Sequence, residues 1–182
     1  MTCAGHDPGG KVYRPLPAGV FGCAEFSECE RYRYVLTREW GAPPGSSIAF
    51  VGLNPSTADK EHDDPTVKKC WTWAADWGYS SFVMLNVYAY RATNPKCLRT
   101  IADPTGVRND EFLSKYASSA GRVIVAWGRG KTKADRERFR DVCELLSSLA
   151  IPLYCLRKNK DGSPHHPLYL PAAITAIPYR CP

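Results

Sequence analysis

The chain has 182 residues, of which 44% are hydrophobic and 12% aromatic. That is enough for one substantial core, whereas two independent cores would each be small. A formal charge of +6 and a pI of about 8.9 favour anionic partners such as nucleotides, nucleic acid or phosphorylated metabolites. Eight cysteines without a CxxC pair exclude a disulfide scaffold and read as free thiols in a reducing compartment. The absence of an 18-residue apolar run or a signal-like N-terminus leaves a cytoplasmic protein with no membrane association.

Residues 1–22 are rich in Gly and Pro and lack periodicity, so residues 1–26 read as an irregular arm ahead of a single α/β domain over 27–182. Arg31 to Leu36 alternates in the manner of a strand, and Gly41 to Ser46 supplies a turn. Ile48-Ala49-Phe50-Val51 is a continuous apolar run of the kind buried on both faces of a parallel sheet. It leads into Gly52-Leu53-Asn54-Pro55-Ser56-Thr57. Asp64-Pro65 then offers an N-cap and a first-turn proline. Val67, Cys70, Trp71, Ala74 and Trp77 recur at helical spacing until Gly78.

Phe82 to Leu85 is a second buried strand that delivers Asn86 to Tyr90 at its end, and Arg91 to Val107 is long enough for a working loop. Asn109 is a candidate cap for a short helix with Phe112, Leu113, Tyr116 and Ala120 on its apolar side. Val123 to Gly128 forms a third apolar run. A basic stretch from Arg129 to Arg140 starts a helix whose core positions are Phe139, Val142, Cys143, Leu146 and Leu149. Pro152 to Leu156 is a fourth strand, followed by a turn-rich loop through His165, His166 and Pro167. Four strand runs alternating with three helices predict a three-layer α/β sandwich around a central, mostly parallel four-stranded sheet.

Ligands of open parallel sheets bind beyond the carboxyl ends of the strands, and this sequence loads that edge with polar groups. Asn54, Ser56, Thr57 and Asp59 follow the first buried strand, Asn86, Tyr90 and Arg91 the second, Trp127, Arg129 and Lys131 the third, and His165 and His166 the fourth. Tyr32, Tyr88, Tyr90, Trp127 and Tyr169 are candidate stacking surfaces for a base. Asp59, Glu61, Asp63 and Asp64 could bind Mg²⁺ or another divalent ion, or Asp64 could cap the helix while the others face solvent. Cys23, Cys29, Cys70 and Cys97 are too widely spaced to argue for an iron–sulfur cluster or zinc. No cofactor and no resident metal ligand is therefore assigned. Gly128-Arg129-Gly130-Lys131-Thr132 lacks the full phosphate-loop spacing, although Arg129 and Lys131 remain phosphate-contact candidates.

The segments Leu53-Asn54-Pro55-Ser56-Thr57-Ala58-Asp59, Asp63-Asp64-Pro65-Thr66, Asn86 to Thr93, Ala126-Trp127-Gly128 and His166-Pro167-Leu168-Tyr169-Leu170 resemble the ordered signature of a bacterial and phage family catalogued as domain of unknown function 1643. A more distant resemblance is to the uracil-DNA glycosylase superfamily. Gly52-Leu53-Asn54-Pro55 is similar to its first catalytic loop and His166-Pro167 to its late His-Pro loop, with Leu168 where that superfamily often has serine. The resemblance implies a glycosylase-like fold in which the first loop places an acid or amide near the glycosidic bond and the His-Pro loop contacts the departing base. In the preferred reading Asn54 or Asp59 positions water or stabilises positive charge on the sugar, His166 bonds the departing base, Asn86 reads a base edge, Tyr90 stacks, and Arg91 with Lys131 holds phosphate.

The preferred expectation is recognition of a nucleobase or nucleotide, free or in nucleic acid, with cleavage or remodelling of an N-glycosidic bond or other base processing. One alternative is a metal-assisted hydrolase of a phosphorylated small molecule using Asp59, Asp63 and His62. Another is a non-catalytic nucleic-acid-binding module with salt-dependent affinity.

Overall fold

In the computed structural model, residues 14–41 and 46–181 are described. The elements in chain order are β1 (Arg14–Pro15), β2 (Val20–Phe26), β3 (Arg33–Trp40), β4 (Ser47–Gly52), β5 (His62–Asp63), α1 (Pro65–Asp76), β6 (Ser81–Asn86), α2 (Asn109–Ser118), β7 (Arg122–Val125), α3 (Lys133–Ser148), β8 (Leu153–Cys155) and β9 (Ile177–Pro178), with short 3-10 segments at Pro95–Thr100 and Pro167–Tyr169. Strand β5 pairs with β1 in a small separate ribbon.

The four apolar runs form a parallel block in the order β6, β4, β7, β8, with Phe50 opposite Met84 and Val51 opposite both Leu85 and Val125. The sheet is nevertheless seven-stranded and mixed, not four-stranded. Antiparallel β3 and then β2 extend one side, and antiparallel β9 the other. Part of the expected arm is therefore sheet: Val20–Phe26 pairs with β3 along its length, while residues 1–13 lie outside the described residues. The expected turn at 41–46 likewise falls mostly on residues 42–45, which are not described.

Alternation of side chains along the strands builds two apolar layers. Ile48, Phe50, Phe82, Met84 and Ile124 face Val67, Cys70, Trp71 and Ala74 of α1. Ala49, Val51, Val83, Leu85, Val123 and Val125 face Phe112, Leu113 and Ala117 of α2 and Phe139, Val142 and Leu146 of α3. Helix α1 starts as its sequence predicts: Asp64 accepts from the backbone N–H groups of Thr66 and Val67, and Pro65 occupies the first turn.

The other two helices start differently. Asn109 is the first residue of α2 instead of its cap, and its amide donates to the Asn86 and Val87 carbonyls at 3.0 Å each. Helix α3 begins only at Lys133, where Thr132 and Asp135 form a reciprocal capping box that satisfies the first backbone donors.

Cysteine usage also departs from expectation. Cys143 and Cys181 form a disulfide that joins α3 to the C-terminal segment, and Cys23, Cys29, Cys70, Cys97 and Cys155 are free. Their partnership spans 38 positions, with no local pattern to signal it. Because disulfides persist in oxidising surroundings and are reduced in the cytosol, the cysteine content no longer argues for a cytoplasmic protein. Among the described residues no helix is long and apolar enough to cross a membrane.

Gly22 sits where β2 passes beneath the β4–α1 connection. A Cβ there would overlap the Lys60 carbonyl oxygen and stand 2.7 Å from Arg38 Nη1. Since the first obstacle is backbone, Gly22→Ala is expected to cost about 1–3 kcal/mol. Urea unfolding that gives an unchanged midpoint would show that the crossing is looser than described.

Candidate functional site

Strands β6 and β7 lie on opposite sides of β4. The chain leaves β4 in one direction through α1 and returns past it through α2, so the winding direction changes between β4 and β7. Such a switch point opens a crevice at the carboxyl ends of the two strands. The loop after β4 and the Trp127-Gly128 pair after β7 follow the carboxyl ends of those two strands.

The β4 loop is held by the chain that follows β6. Val87 donates to Gly52 O, Tyr88 to Leu53 O and Ala92 to Pro55 O, each at 2.9 Å. Asn54 Nδ2 donates to Pro55 O at 2.9 Å and Ala92 O at 2.7 Å. Both partners are carbonyls, so this face of the amide must be the NH₂ group. Oδ1 is left as the acceptor that Asn54 presents.

Several buried side-chain atoms without a hydrogen bond belong to residues of these loops or to their partners. Arg33 Nε, Ser56 Oγ, Thr57 Oγ1 and Asn109 Oδ1 are sealed from solvent and have no partner among the described residues. Each such group costs about 1–3 kcal/mol, and native folds tolerate few of them.

Arg33 is only 1% exposed. It donates to Ala58 O at 2.8 Å and to Asn86 Oδ1 at 3.4 Å, both neutral acceptors. Burial pulls its pKa down to about 10, with Asp64 partly offsetting that effect. Asn86 is itself buried, and its Nδ2 lies 3.0 Å from the point where a Gly52 Cβ would stand. The missing side chain of Gly52 thus makes room for the amide.

On the other side, Gly128 has φ +84°, a conformation that favours glycine. A Cβ on Gly128 would stand 3.5 Å from His166 Cβ, so the His166 loop meets the loop after β7 at this glycine. Its Nδ1 accepts from Leu168 N at 3.3 Å. In the neutral imidazole that bond places the proton on Nε2 and makes it a donor. His165 turns into its own loop: its N donates to Arg157 O at 2.7 Å and its Nδ1 lies 3.0 Å from His166 O.

The segment after His166 is tied to α1 by a ladder. Lys69 Nζ donates to Leu168 O at 3.3 Å and also to Leu170 O, Trp73 Nε1 donates to Ala172 O, and Trp77 Nε1 donates to Ile174 O at 3.2 Å. Every fourth residue of a helix advances about 6 Å, close to the advance of every second residue of extended chain.

Other expected site residues lie apart from this arrangement or are committed elsewhere. Asp59 Oδ1 accepts from Glu61 N, from His62 N and from the His62 ring, shaping the loop. Asp63 is buried between Arg38 and Trp71, both of its oxygens taken. Among the described residues no group of three or more His, Cys, Asp or Glu is placed to hold a metal ion.

Arg91 points to the β2–β3 hairpin, donating to Glu30 O at 3.0 Å and stacking over Phe26. Arg129 pairs with Asp161 at 2.7 Å on the surface, and Lys131 is exposed with its backbone N–H on Asp135. Tyr88, Tyr90 and Trp127 are buried, and Tyr32 is half-buried against the Tyr90 edge. Tyr169, at 78% exposed, lies with its ring 6.3 Å from that of His166.

Arg33 and Asn109 carry no sequence signal for their positions. The first looks like any polar residue of an alternating strand and the second like a helix cap. Their burial follows from pairing between segments far apart in sequence.

The fold is that of an open, mixed α/β sheet with its candidate site at a topological switch point. The chain belongs to the DUF1643 family, described as proteins of unknown function, whose model matches residues 33–168. That span includes Asn54, Asn86, Gly128 and His166. Comparison with curated proteins and with solved structures finds no match.

Proposed function

We propose that the crevice between β4 and β7 recognises a nucleobase or nucleotide and hydrolyses an N-glycosidic bond. The observation that carries this reading is the seat of His166 over Gly128, with Nδ1 capped by Leu168, beside the strand whose loop presents Asn54 Oδ1. In this reading His166 serves as the donor and Asn54 as the acceptor of a shared strand-end site. The similarity of Gly52-Leu53-Asn54-Pro55 and His166-Pro167 to uracil-DNA glycosylases supports the same assignment, including a glycosylase-like version of the three-layer fold.

In this chemistry water attacks the anomeric carbon while the carbon–nitrogen bond breaks, the bonding pair leaves with the base, and the water's proton is lost to solvent. Asn54 Oδ1 orients the water. The Nε2–H of His166 donates to the oxygen on which negative charge develops. Asn86 Nδ2 faces a base edge across Gly52. Tyr169 supplies a stacking face beside the histidine. Asp59, bound by its own loop, acts through the position of that loop.

Base release from nucleosides, nucleotides and uracil-containing single- and double-stranded oligonucleotides, measured by chromatography, tests the proposal. Asn54→Ala and His166→Ala are each expected to reduce release by about 10²–10³-fold in protein that remains folded. Release by neither variant nor wild type, with no nucleotide or oligonucleotide binding, rejects it. Salt-dependent oligonucleotide binding without product would instead identify a binding module.

A further inference from the structure

A cavity of about 300 Å³ lies on another face of α1, between the helix and the segment after His166. Pro65, Lys68, Lys69, Thr72, Trp73 and Asp76 line it from the helix, with Arg14 and Ala172 completing the walls. Positions 65, 68, 69, 72 and 76 share one helical face, and the groove they define is about 16 Å long. Its volume is at the lower end of small-molecule sites.

The charge is uneven. Arg14, Lys68 and Lys69 oppose the single acid Asp76, a net lining charge of three minus one, or +2. Lys68 and Lys69 belong to the N-terminal half of α1, and Asp76 ends the helix. Lys68 Nζ stands 3.7 Å over the Trp71 ring, and Lys69 is held by the Leu168 and Leu170 carbonyls. Both ammonium groups are thus placed by the fold. Burial lowers the Lys68 pKa, an effect a bound anion would oppose.

We propose that this cavity is a second ligand site, for a small phosphomonoester with an apolar body. The near-dianionic charge of a phosphomonoester at neutral pH matches the lining, and Pro65, Trp73 and Ala172 provide the apolar wall. Because Lys69 also holds the carbonyls that follow His166-Pro167, a ligand here touches the tie that positions the histidine. This site does not depend on the glycosidic reading of the β4–β7 crevice.

The test is calorimetry with phenyl phosphate, inorganic phosphate and benzyl alcohol as probes, on the wild type and on an Arg14→Gln/Lys68→Gln double variant. Neither replaced side chain makes a hydrogen bond among the described residues, so the double variant should stay folded and lose at most the Lys68–Trp71 contact; its own melting curve checks this. Phenyl phosphate is expected to bind the wild type at least about tenfold more tightly than either partial probe, and the double variant to lose about tenfold or more. Added salt should weaken the interaction, and His166→Ala should retain it. Failure of phenyl phosphate to bind the wild type, equal affinity in the double variant, or loss in His166→Ala would each overturn the proposal; the last would move the ligand to the strand-end crevice.

Discussion

Replacing Asp63 with alanine is expected to lower the unfolding free energy by about 3–5 kcal/mol, the usual consequence of leaving one member of a buried ion pair alone. The pair is fully enclosed, with Arg38 and Asp63 side chains 0% and 1% exposed and 2.9 Å apart. Asp63 also accepts from Trp71 Nε1 at 2.6 Å, so its removal orphans an indole N–H and leaves a buried guanidinium without its countercharge.

Arg38 further donates to the carbonyls of Thr37, Asp59 and His62, which joins β3 to the connection between β4 and α1. Asp63→Asn preserves one acceptor and the side-chain volume and should cost less than Asp63→Ala. Urea denaturation of both variants measures the difference. A loss below about 1 kcal/mol for Asp63→Ala would mean that water replaces the carboxylate and that the site is not sealed.

The second large effect belongs to the covalent link between α3 and the C-terminal segment. Exchange of Cys143 and Cys181 for alanine together should destabilise the protein by about 2–4 kcal/mol, because the 38-position separation closes a long loop in the unfolded chain. For a domain of this size the equivalent fall in melting temperature is roughly 5–15 °C. Reductant should lower the wild type to the level of the double variant and leave that variant unchanged. A wild type whose melting temperature ignores reductant has no such bond in solution.

Sequence legibility followed locality. Ile48–Val51, Phe82–Leu85, Val123–Val125 and Leu153–Cys155 are parallel strands covered on both faces, and such strands announce themselves as apolar runs. Asp64-Pro65 was equally readable, since a cap acts within three residues. Strand β2 was not, because Val-Phe-Gly-Cys-Ala-Glu-Phe becomes a strand through its pairing with β3 rather than through its own pattern.

The same distinction governs the site. The residues at strand ends could be named, but their directions could not. Trp127, Tyr88 and Tyr90 have the composition of stacking surfaces and are nevertheless buried, whereas Tyr169, beyond the last parallel strand, is exposed. The acidic cluster separated into a loop organiser, an ion-pair partner and a helix cap because Arg38 enters from β3, a meeting that no spacing within 59–64 encodes.

The ladder from Lys69, Trp73 and Trp77 to the carbonyls of 168–174 carries a consequence for the order of folding. These bonds join residues 97 to 101 positions apart, whereas α1 forms from contacts within a few residues. Closing so long a loop is entropically slow compared with winding a helix. The helix should therefore be in place before the segment that docks on it, making the His166 loop late to assemble. A refolding chain would recover most of its helical signal before any property that requires His166 to stand over Gly128.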